Sequence, residues 1–297
     1  MKDFIALDWG TTSFRAYLGD AQGHVTDTIS APHGILSVTG GDFDAALETH
    51  IGHWDKNLPI LAAGMITSRQ GWIELPYVAC PAGPAELARA LHHHTSKQGR
   101  HIAFSTGLSY RSTDGIPDVM RSEETQVFGS FGQGVTHFVT PGTHSKWITV
   151  EGGRITSFST YVTGEIFAAL KDHTILGRMI KDAPTDEAAY ARGVTAALDD
   201  PAGFLHRIFS ARSLALFNEL APESIASYLS GQVIGTEVAH AVRDNPKTAD
   251  YAILASEGIG SRYAKAMELA GLKARMGDPL SVVKGLALIA RHAGVLQ

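Results

Sequence analysis

The fold of this chain is decided by residues 8–15, which read Asp8-Trp9-Gly10-Thr11-Thr12-Ser13-Phe14-Arg15. A short apolar run at 4–7 precedes this stretch, and a strand-like run at 14–18 continues from it. Residues 20–23 predict a hairpin turn into a third strand at 24–30. We therefore expect an antiparallel meander with a glycine-containing turn after its first strand.

The same order of elements recurs in the second half of the chain. Three strand-like runs lie between residues 136 and 160, and the turn Pro141-Gly142-Thr143 follows the first of them. This repeat predicts two related halves. We place the boundary after Gln133, which gives domains 1–133 and 134–297, and the alternation of strands and helices predicts an α/β fold.

Helices are predicted between and after the two meanders. Asp42 is a suitable N-cap for a helix over 42–56, a buried strand follows at 59–63, and Ser122 can cap a helix that begins at Glu123. The remaining helices are expected at 85–94, 163–172, 186–198, 203–219, 222–243, from about 258 to 270, and at 280–292, the last of which could pack on the first domain.

Composition narrows the class of protein. The chain has 297 residues, of which 44% are hydrophobic and 19% charged, so two well-packed domains are expected. The net charge of −5 and the lack of a basic block argue against a nucleic-acid partner. No apolar run reaches the length of a membrane helix, and Cys80 is the single cysteine, which fits a reducing compartment. We expect a cytoplasmic protein without a secretory signal, and a homodimer is left open.

The first glycine turn has the residue types of a phosphate site. Asp8 at the end of a strand can hold a hydrated Mg²⁺, and Gly10 lets backbone N–H groups approach phosphate oxygens. The hydroxyls of Thr11, Thr12 and Ser13 add donors. An ordinary hairpin explains this stretch equally well when it is taken alone.

Two later segments extend the phosphate site. Gly142 and Thr143 would form a second anion cradle, and His144 and Lys146 could neutralise charge on a transferred group. Glu257-Gly258-Ile259 lies between a strand and a helix, where backbone can pass close to a nucleoside. It fails as a dinucleotide fingerprint because the third glycine is missing, and a plain helix start explains it as well.

Two further segments carry chemistry. Glu123 and Glu124 either complement the dipole of their helix, or one of them faces a cleft, where it could act as a general base or orient Mg²⁺ through water. The connection 64–77 is long and follows a buried strand, which is typical of a binding loop. Its Arg69 can bind a carboxylate through two nitrogens, although exposure to solvent is the default for a single arginine. The sequence has no Walker loop, protein-kinase signature or nucleophile elbow.

Four segments, taken as a set, resemble the 2-dehydro-3-deoxygalactonokinase family of the actin-like ATPase superfamily: 8–15, 64–77, 117–126 and 141–147. The resemblance implies two ribonuclease-H-like domains with a nucleotide cleft between them. It also implies transfer of the γ-phosphate of ATP to the C6 hydroxyl of 2-dehydro-3-deoxy-D-galactonate in galactonate and galactose catabolism. The substrate is then a small sugar acid, and the cofactors are ATP and Mg²⁺.

The resemblance also implies roles for individual residues. Asp8 would anchor the metal, and Glu123 or Glu124 would act as the base. ATP would contact Gly10, Thr11, Thr12, Ser13, Gly142, Thr143, His144, Lys146, Glu257, Gly258 and Ile259. The sugar acid would contact Arg69, Gln70, Trp72, Arg15 and Arg121. Two positions depart from the pattern: Ser122 replaces an expected glycine, and Thr140 stands where many members of the superfamily have an aspartate.

Three alternatives stay open at this point. A kinase of another 2-keto-3-deoxy sugar acid shares every motif above. An exopolyphosphatase-like phosphohydrolase also has paired acids before a glycine turn, although the aromatic and arginine-bearing loop 64–77 favours a small specific substrate. A sugar-sensing regulator is disfavoured because no DNA-binding module precedes the first strand and the chain is acidic.

Overall fold

The computed structural model describes residues 3–132 and 134–296. Residue contacts divide the chain into two compact units. The first comprises Met1–Gly134, Ile148–Phe158 and Asp278–Gln297, and the second comprises Val135–Trp147 and Ser159–Gly277. Gln133, after which the sequence places a domain boundary, lies outside the described residues, so that boundary stays a prediction.

The strands and helices are numbered in chain order. The strands are β1 (Phe4–Trp9), β2 (Phe14–Gly19), β3 (Val25–Ala31), β4 (Ile60–Ala63), β5 (Val78–Ala79), β6 (His92–Thr95), β7 (His101–Phe104), β8 (Leu108–Arg111), β9 (Pro117–Met120), β10 (His137–Thr140), β11 (Ser145–Glu151), β12 (Arg154–Tyr161), β13 (Asp250–Ile253) and β14 (Lys273–Met276). The helices are α1 (Phe43–Ile51), α2 (Pro84–Arg89), α3 (Glu123–Gly129), α4 (Thr163–His173), α5 (Glu187–Asp199), α6 (Phe204–Arg207), α7 (Ser210–Leu216), α8 (Ile225–Asp244), α9 (Glu257–Leu269) and α10 (Ser281–His292).

A six-stranded sheet organises the first unit, with strand order β3-β2-β1-β4-β7-β6. β1, β2 and β3 pair antiparallel, as the opening meander predicts, and β1, β4 and β7 pair parallel. Phe4, Ile5, Ala6 and Leu7 are all fully buried. Such a continuous apolar run is expected of a central strand that is covered on both faces.

A five-stranded sheet has the order β12-β11-β10-β13-β14, in which β10, β13 and β14 pair parallel. Counted from its first strand, this order is 3-2-1-4-5. The larger sheet has the same order over β1, β2, β3, β4 and β7. The predicted duplication of the meander is therefore confirmed at the level of topology, and so is the α/β class.

Two of the helix predictions are wrong. The helix expected over 85–94 ends at Arg89, and His92–Thr95 instead forms β6, which pairs antiparallel with β7. The helix expected over 203–219 is two short helices, α6 and α7. The sequence also gave no indication of β14 or of the three-stranded sheet β5-β8-β9. Strands of two to four residues are too short for a clear alternation of polar and apolar positions.

Close packing of α10 on α3 positions the start of α3. A Cβ atom at Gly285 would lie 1.8 Å from the carbonyl oxygen of Thr125, and one at Gly129 would lie 1.8 Å from that of Ser281. Only glycine allows this approach of two backbones. Among the described residues, no helix combines the length and the apolar character that crossing a membrane requires.

Candidate active site

Asp8 lies near the end of β1 and is held by two side chains. Its Oδ1 accepts a hydrogen bond of 2.7 Å from the hydroxyl of Ser122, and Arg15 Nη1 lies 3.8 Å from its Oδ2. Asp8 and Arg15 are partners in the register of β1 with β2. Burial raises the pKa of Asp8, while the Ser122 hydrogen bond and the charge of Arg15 act in the opposite direction.

The turn at residues 10–13 is fixed by its own backbone and by the chain near residue 34. Gly10 N–H donates to the carbonyl of Ser13, and Ile35 N–H donates to the carbonyl of Gly10. A Cβ at Gly34 would lie 2.1 Å from the carbonyl oxygen of Thr11. Within the described part of the chain, the backbone N–H groups of residues 11–13 donate to no protein acceptor. Backbone N–H groups of a turn that lack a protein acceptor are the kind of donor that an anion site uses.

The two acids at the start of α3 bind the backbone just before them. Glu123 Oε2 accepts from Arg121 N–H at 2.8 Å, and both carboxylate oxygens of Glu124 accept from Ser122 N–H, at 3.1 and 2.9 Å. Glu124 is fully buried. Burial and, to a lesser extent, the neighbouring charge of Glu123 raise the pKa of Glu124 to about 8. Glu123 is half-buried and therefore the more accessible of the two.

Ser122 does not cap α3 through its side chain, so that prediction is wrong. Its backbone φ is 96°, in the region that favours glycine, and its hydroxyl bonds to Asp8 instead of to the helix. The departure from the expected glycine therefore places a serine at a glycine-type backbone conformation.

A cavity of ≈ 670 Å³ lies in the first unit along the loop 64–77. The residues that line it come from this loop and from the residue after β9: Met65, Ser68, Arg69, Gln70, Glu74, Leu75, Pro76, Tyr77 and Arg121. Arg69 and Gln70 are exposed. Three of the residues that the sequence assigned to the sugar acid therefore line this space: Arg69, Gln70 and Arg121.

Arg121 holds the wall of this cavity. Its Nη1 donates to the carbonyl and the hydroxyl of Thr67, its Nη2 donates to the carbonyl of Leu75, and its guanidinium lies 4.3 Å from the ring centre of Tyr77. The two terminal nitrogens are thus occupied by the loop itself, while the buried Nε has no hydrogen-bond partner among the described residues. Arg121 joins the loop to the turn that contains Ser122.

Trp72 does not line the cavity. Its ring packs against Phe43, Phe104 and His94 in the core of the first unit. Trp72 is partly buried and contributes to this core, where an aromatic ring packs well, and its predicted contact with the sugar acid stays a prediction. The sequence could not separate these roles because the loop carries both binding and packing side chains.

The second glycine turn is built within the second unit. A Cβ at Gly142 would meet open space. Gly164, at the start of α4, packs against the carbonyl oxygen of Gly142. His144 Nε2 lies 2.6 Å from Glu165 Oε2, and Lys146 is buried with its Nζ donating to the carbonyl of His144. The roles predicted for Gly142, Thr143, His144 and Lys146 in ATP binding stay predictions.

Glu237 on α8 is a buried acid with a dense set of partners that the sequence analysis did not single out. Its Oε1 accepts from Ser145 Oγ at 2.7 Å and from Trp147 Nε1 at 2.8 Å. Its Oε2 accepts from Tyr263 at 2.6 Å and from Thr163. Burial raises its pKa, and the four donors oppose that rise. An acid inside an apolar helical run was the available signal, because a buried carboxylate needs partners.

The structure shows fewer contacts at the remaining predicted positions, which are residues 257–259 and Thr140. Glu257, Gly258 and Ile259 form the first turn of α9, where a Cβ at Gly258 would meet open space. Thr140 is buried at the end of β10, and its hydroxyl has no partner among the described residues. The described residues contain no group of three or more histidine, cysteine or acidic side chains arranged to hold a metal ion.

Comparison with known proteins gives a consistent result. The family model described as 2-keto-3-deoxy-galactonokinase matches residues 8–289. The probable 2-dehydro-3-deoxygalactonokinase of Rhizobium meliloti is 35% identical over 298 residues, covering 97% of this chain and 96% of its own. The 2-dehydro-3-deoxygalactonokinase of Escherichia coli is 30% identical over 271 residues, covering 90% of each. A crystal structure from Sinorhizobium meliloti, described as such a kinase, matches with a TM-score of 0.88 and 34% identity, covering 97% of this chain and 98% of that one.

Proposed function

The chain belongs to the 2-keto-3-deoxy-galactonokinase family, and on that premise we propose that it transfers the γ-phosphate of ATP to the C6 hydroxyl of 2-dehydro-3-deoxy-D-galactonate. The observation that carries the proposal is the cavity along residues 64–77. Arg69 and Gln70 are exposed in its wall, and Arg121 connects that wall to the turn that holds Asp8 and Glu123.

Arg69 is the residue that we assign to the carboxylate of the sugar acid. Arg69 is exposed at the cavity, while both terminal nitrogens of Arg121 are occupied by Thr67 and Leu75. A free guanidinium binds a carboxylate through two parallel hydrogen bonds, which fixes the orientation of the acid as well as its position. Gln70 supplies an amide for the hydroxyl or keto oxygens.

Glu123 is the candidate general base, with Glu124 as a structural partner. A base must come within hydrogen-bond reach of the attacking hydroxyl, and Glu124 has no exposed surface. The raised pKa of Glu124 would suit a base, but geometry decides first, and both of its oxygens accept from Ser122 N–H. Glu124 then holds the backbone in place while Glu123 receives the proton.

The first glycine turn provides the phosphate contacts in the first unit. The N–H groups of residues 11–13 are available, and an extended array of such donors stabilises charge on phosphate oxygens. Mg²⁺ fits Asp8, because this ion commonly uses one or two carboxylates and keeps several of its waters. When bound, it would supply charge neutralisation for the phosphates. We also assign ATP to Gly142, Thr143, His144 and Lys146 of the second unit. We assign the nucleoside of ATP to Glu257, Gly258 and Ile259.

The cellular setting is also proposed. The single cysteine of the chain fits a reducing compartment, and the cytoplasm is such a compartment and also supplies ATP. We therefore place the kinase in the cytoplasm. A homodimer is consistent with the sequence, and light scattering of the purified protein would establish the oligomeric state.

A coupled assay of ADP release over a panel of 2-keto-3-deoxy sugar acids, including the gluconate epimer, tests the proposal. We expect ADP release that depends on the galactonate acid, with one phosphorylated acid formed per ADP. Release of inorganic phosphate without a phosphorylated acid would instead support a phosphohydrolase. Equal or better turnover of the gluconate epimer would reassign the acceptor.

Substitutions of Asp8 and Glu123, measured in the same assay, test the catalytic roles that we assign to these two residues. Asp8→Asn and Glu123→Gln should each lower kcat by a factor of at least about 100, because both remove a charge from the reacting centre. Asp114→Asn is the matched control, since Asp114 is an exposed acid in the turn between β8 and β9. If Asp8→Asn keeps the wild-type kcat, the proposed role of Asp8 as the metal anchor is wrong.

A further inference from the structure

Ser122 occupies a backbone conformation that serine rarely adopts. Its φ of 96° places it in the region where a Cβ is strained and glycine is favoured. Only one other described non-glycine residue, Asn218, has a positive φ, and its value of 59° lies in the ordinary left-handed region. Strain of this kind persists where the surrounding structure imposes it, and it is concentrated at functional sites.

The side chain of Ser122 has a specific partner. Its hydroxyl donates to Asp8 Oδ1 at 2.7 Å across 114 positions of sequence, and the residue is 8% exposed. The N–H of the same residue donates to both oxygens of Glu124. Its hydroxyl makes no hydrogen bond to its own helix. One residue therefore joins the end of β1 to the start of α3 through polar contacts.

The two oxygens of Asp8 are thereby made unequal. Oδ1 is occupied by the short bond from Ser122, whereas Oδ2 has Arg15 at a longer 3.8 Å. The terminal torsion of an aspartate is broadly distributed, so the plane of its carboxylate is well defined only where a neighbour holds one oxygen. The Ser122 hydroxyl is the neighbour that can fix the plane of this carboxylate.

We propose that Ser122 is a positioning residue of the phosphoryl transfer: its hydroxyl fixes the orientation of the Asp8 carboxylate, and the strained serine backbone is retained for that contact. This inference rests on the proposed function, because it requires Asp8 to act on the substrates. A misoriented group at a reacting centre loses rate even when substrate binding is unchanged.

Three substitutions separate the hydroxyl from the backbone strain. Ser122→Gly removes the hydroxyl and relieves the strain, Ser122→Ala removes the hydroxyl alone, and Ser122→Thr keeps a hydroxyl and adds a methyl group at a positive φ. A purely structural role predicts that activity follows thermal stability, with glycine the best of the three. The positioning role predicts that activity follows the presence of the hydroxyl, so that Ser122→Gly is the most stable of the three but less active than Ser122→Thr.

The measurements are the unfolding temperature of the ligand-free protein and kcat and KM in the ADP-release assay. We expect Ser122→Gly to unfold at or above the wild-type temperature while kcat falls about 10-fold, the loss typical of a group that orients a reacting side chain. Ser122→Ala should lose kcat equally, and KM for both substrates should stay within about 2-fold. Ser122→Thr should unfold at a lower temperature and keep more of the wild-type kcat than Ser122→Gly.

Wild-type kcat in Ser122→Gly would overturn the inference, and so would a kcat that rises and falls with unfolding temperature across the series. If Ser122→Thr does not fold, the glycine and alanine variants still decide the question. A wild-type protein that releases no ADP with any of the sugar acids would refute the proposed function instead. These outcomes are distinct because the first two require an active wild-type enzyme.

Discussion

Replacing Glu124 by glutamine tests the electrostatics of the turn before α3. Glu124 is fully buried, and burial raises the pKa of its carboxyl from an ordinary value of 4.5 to about 8. The folded protein therefore binds this proton more tightly than the unfolded chain does. The contribution of the carboxyl to stability is fully present below 4.5 and is lost as pH rises through about 8.

The size of the effect follows from the two pKa values. Between about pH 5.5 and pH 8.5, a carboxyl that titrates at 4.5 unfolded and about 8 folded lowers the free energy of unfolding by ~3 kcal/mol. For a unit of this size, that corresponds to a fall of about 10 °C in unfolding temperature. Glutamine resembles the protonated carboxyl and has no proton to lose in this range, so the variant should lack that fall.

Thermal unfolding at a series of pH values measures the difference. Wild-type protein should lose about 10 °C more than Glu124→Gln over this range. Glu151→Gln is the matched control, because Glu151 is an exposed acid of the same unit and its removal should leave the pH dependence unchanged. Parallel curves for wild type and Glu124→Gln would show that Glu124 does not hold a proton in the folded state at neutral pH.

Two further substitutions test the cavity wall of the first unit and the buried acid of the second unit. Arg121→Lys keeps the charge but loses the planar fork that binds Thr67 and Leu75, so we expect KM for the sugar acid to rise about 10-fold with a smaller change in KM for ATP. Equal effects on both KM values would contradict a role confined to the cavity wall. Glu237→Gln leaves one pair of donors facing an amide NH₂ group, so the second unit should lose ~3 kcal/mol of stability in thermal or urea unfolding. An unfolding temperature equal to that of wild type would show that these donors do not depend on the carboxylate.

Much of the fold could be predicted because its central features are local. Residues 4–18 carry an apolar run, a glycine turn and a second run, and these patterns specify β1, the turn and β2 without reference to the rest of the chain. The repeat of this pattern after residue 136 was likewise visible in sequence. The acidic pair at the start of α3 was also recognised, because acids are placed there by a local rule.

Pairings between distant residues could not be predicted in the same way. The helix expected through His92–His94 gave way to β6 because pairing with β7 outweighs the helix propensity of a short segment. Trp72 packs against Phe43 and Phe104, and no local pattern in its loop specifies these distant partners. Ser122 looked like a helix cap because capping is a local rule, and its actual partner lies 114 positions away.

By itself, the sequence determined the two meanders, the glycine turns, the acids and the loop that carries Arg69. Tertiary structure decided which of these side chains meet: Ser122 with Asp8, Arg121 with Thr67, and Glu237 with Ser145. The physical reason is that turns and strands follow from interactions within a few residues, whereas a buried polar group is paired by whichever part of the chain packs against it.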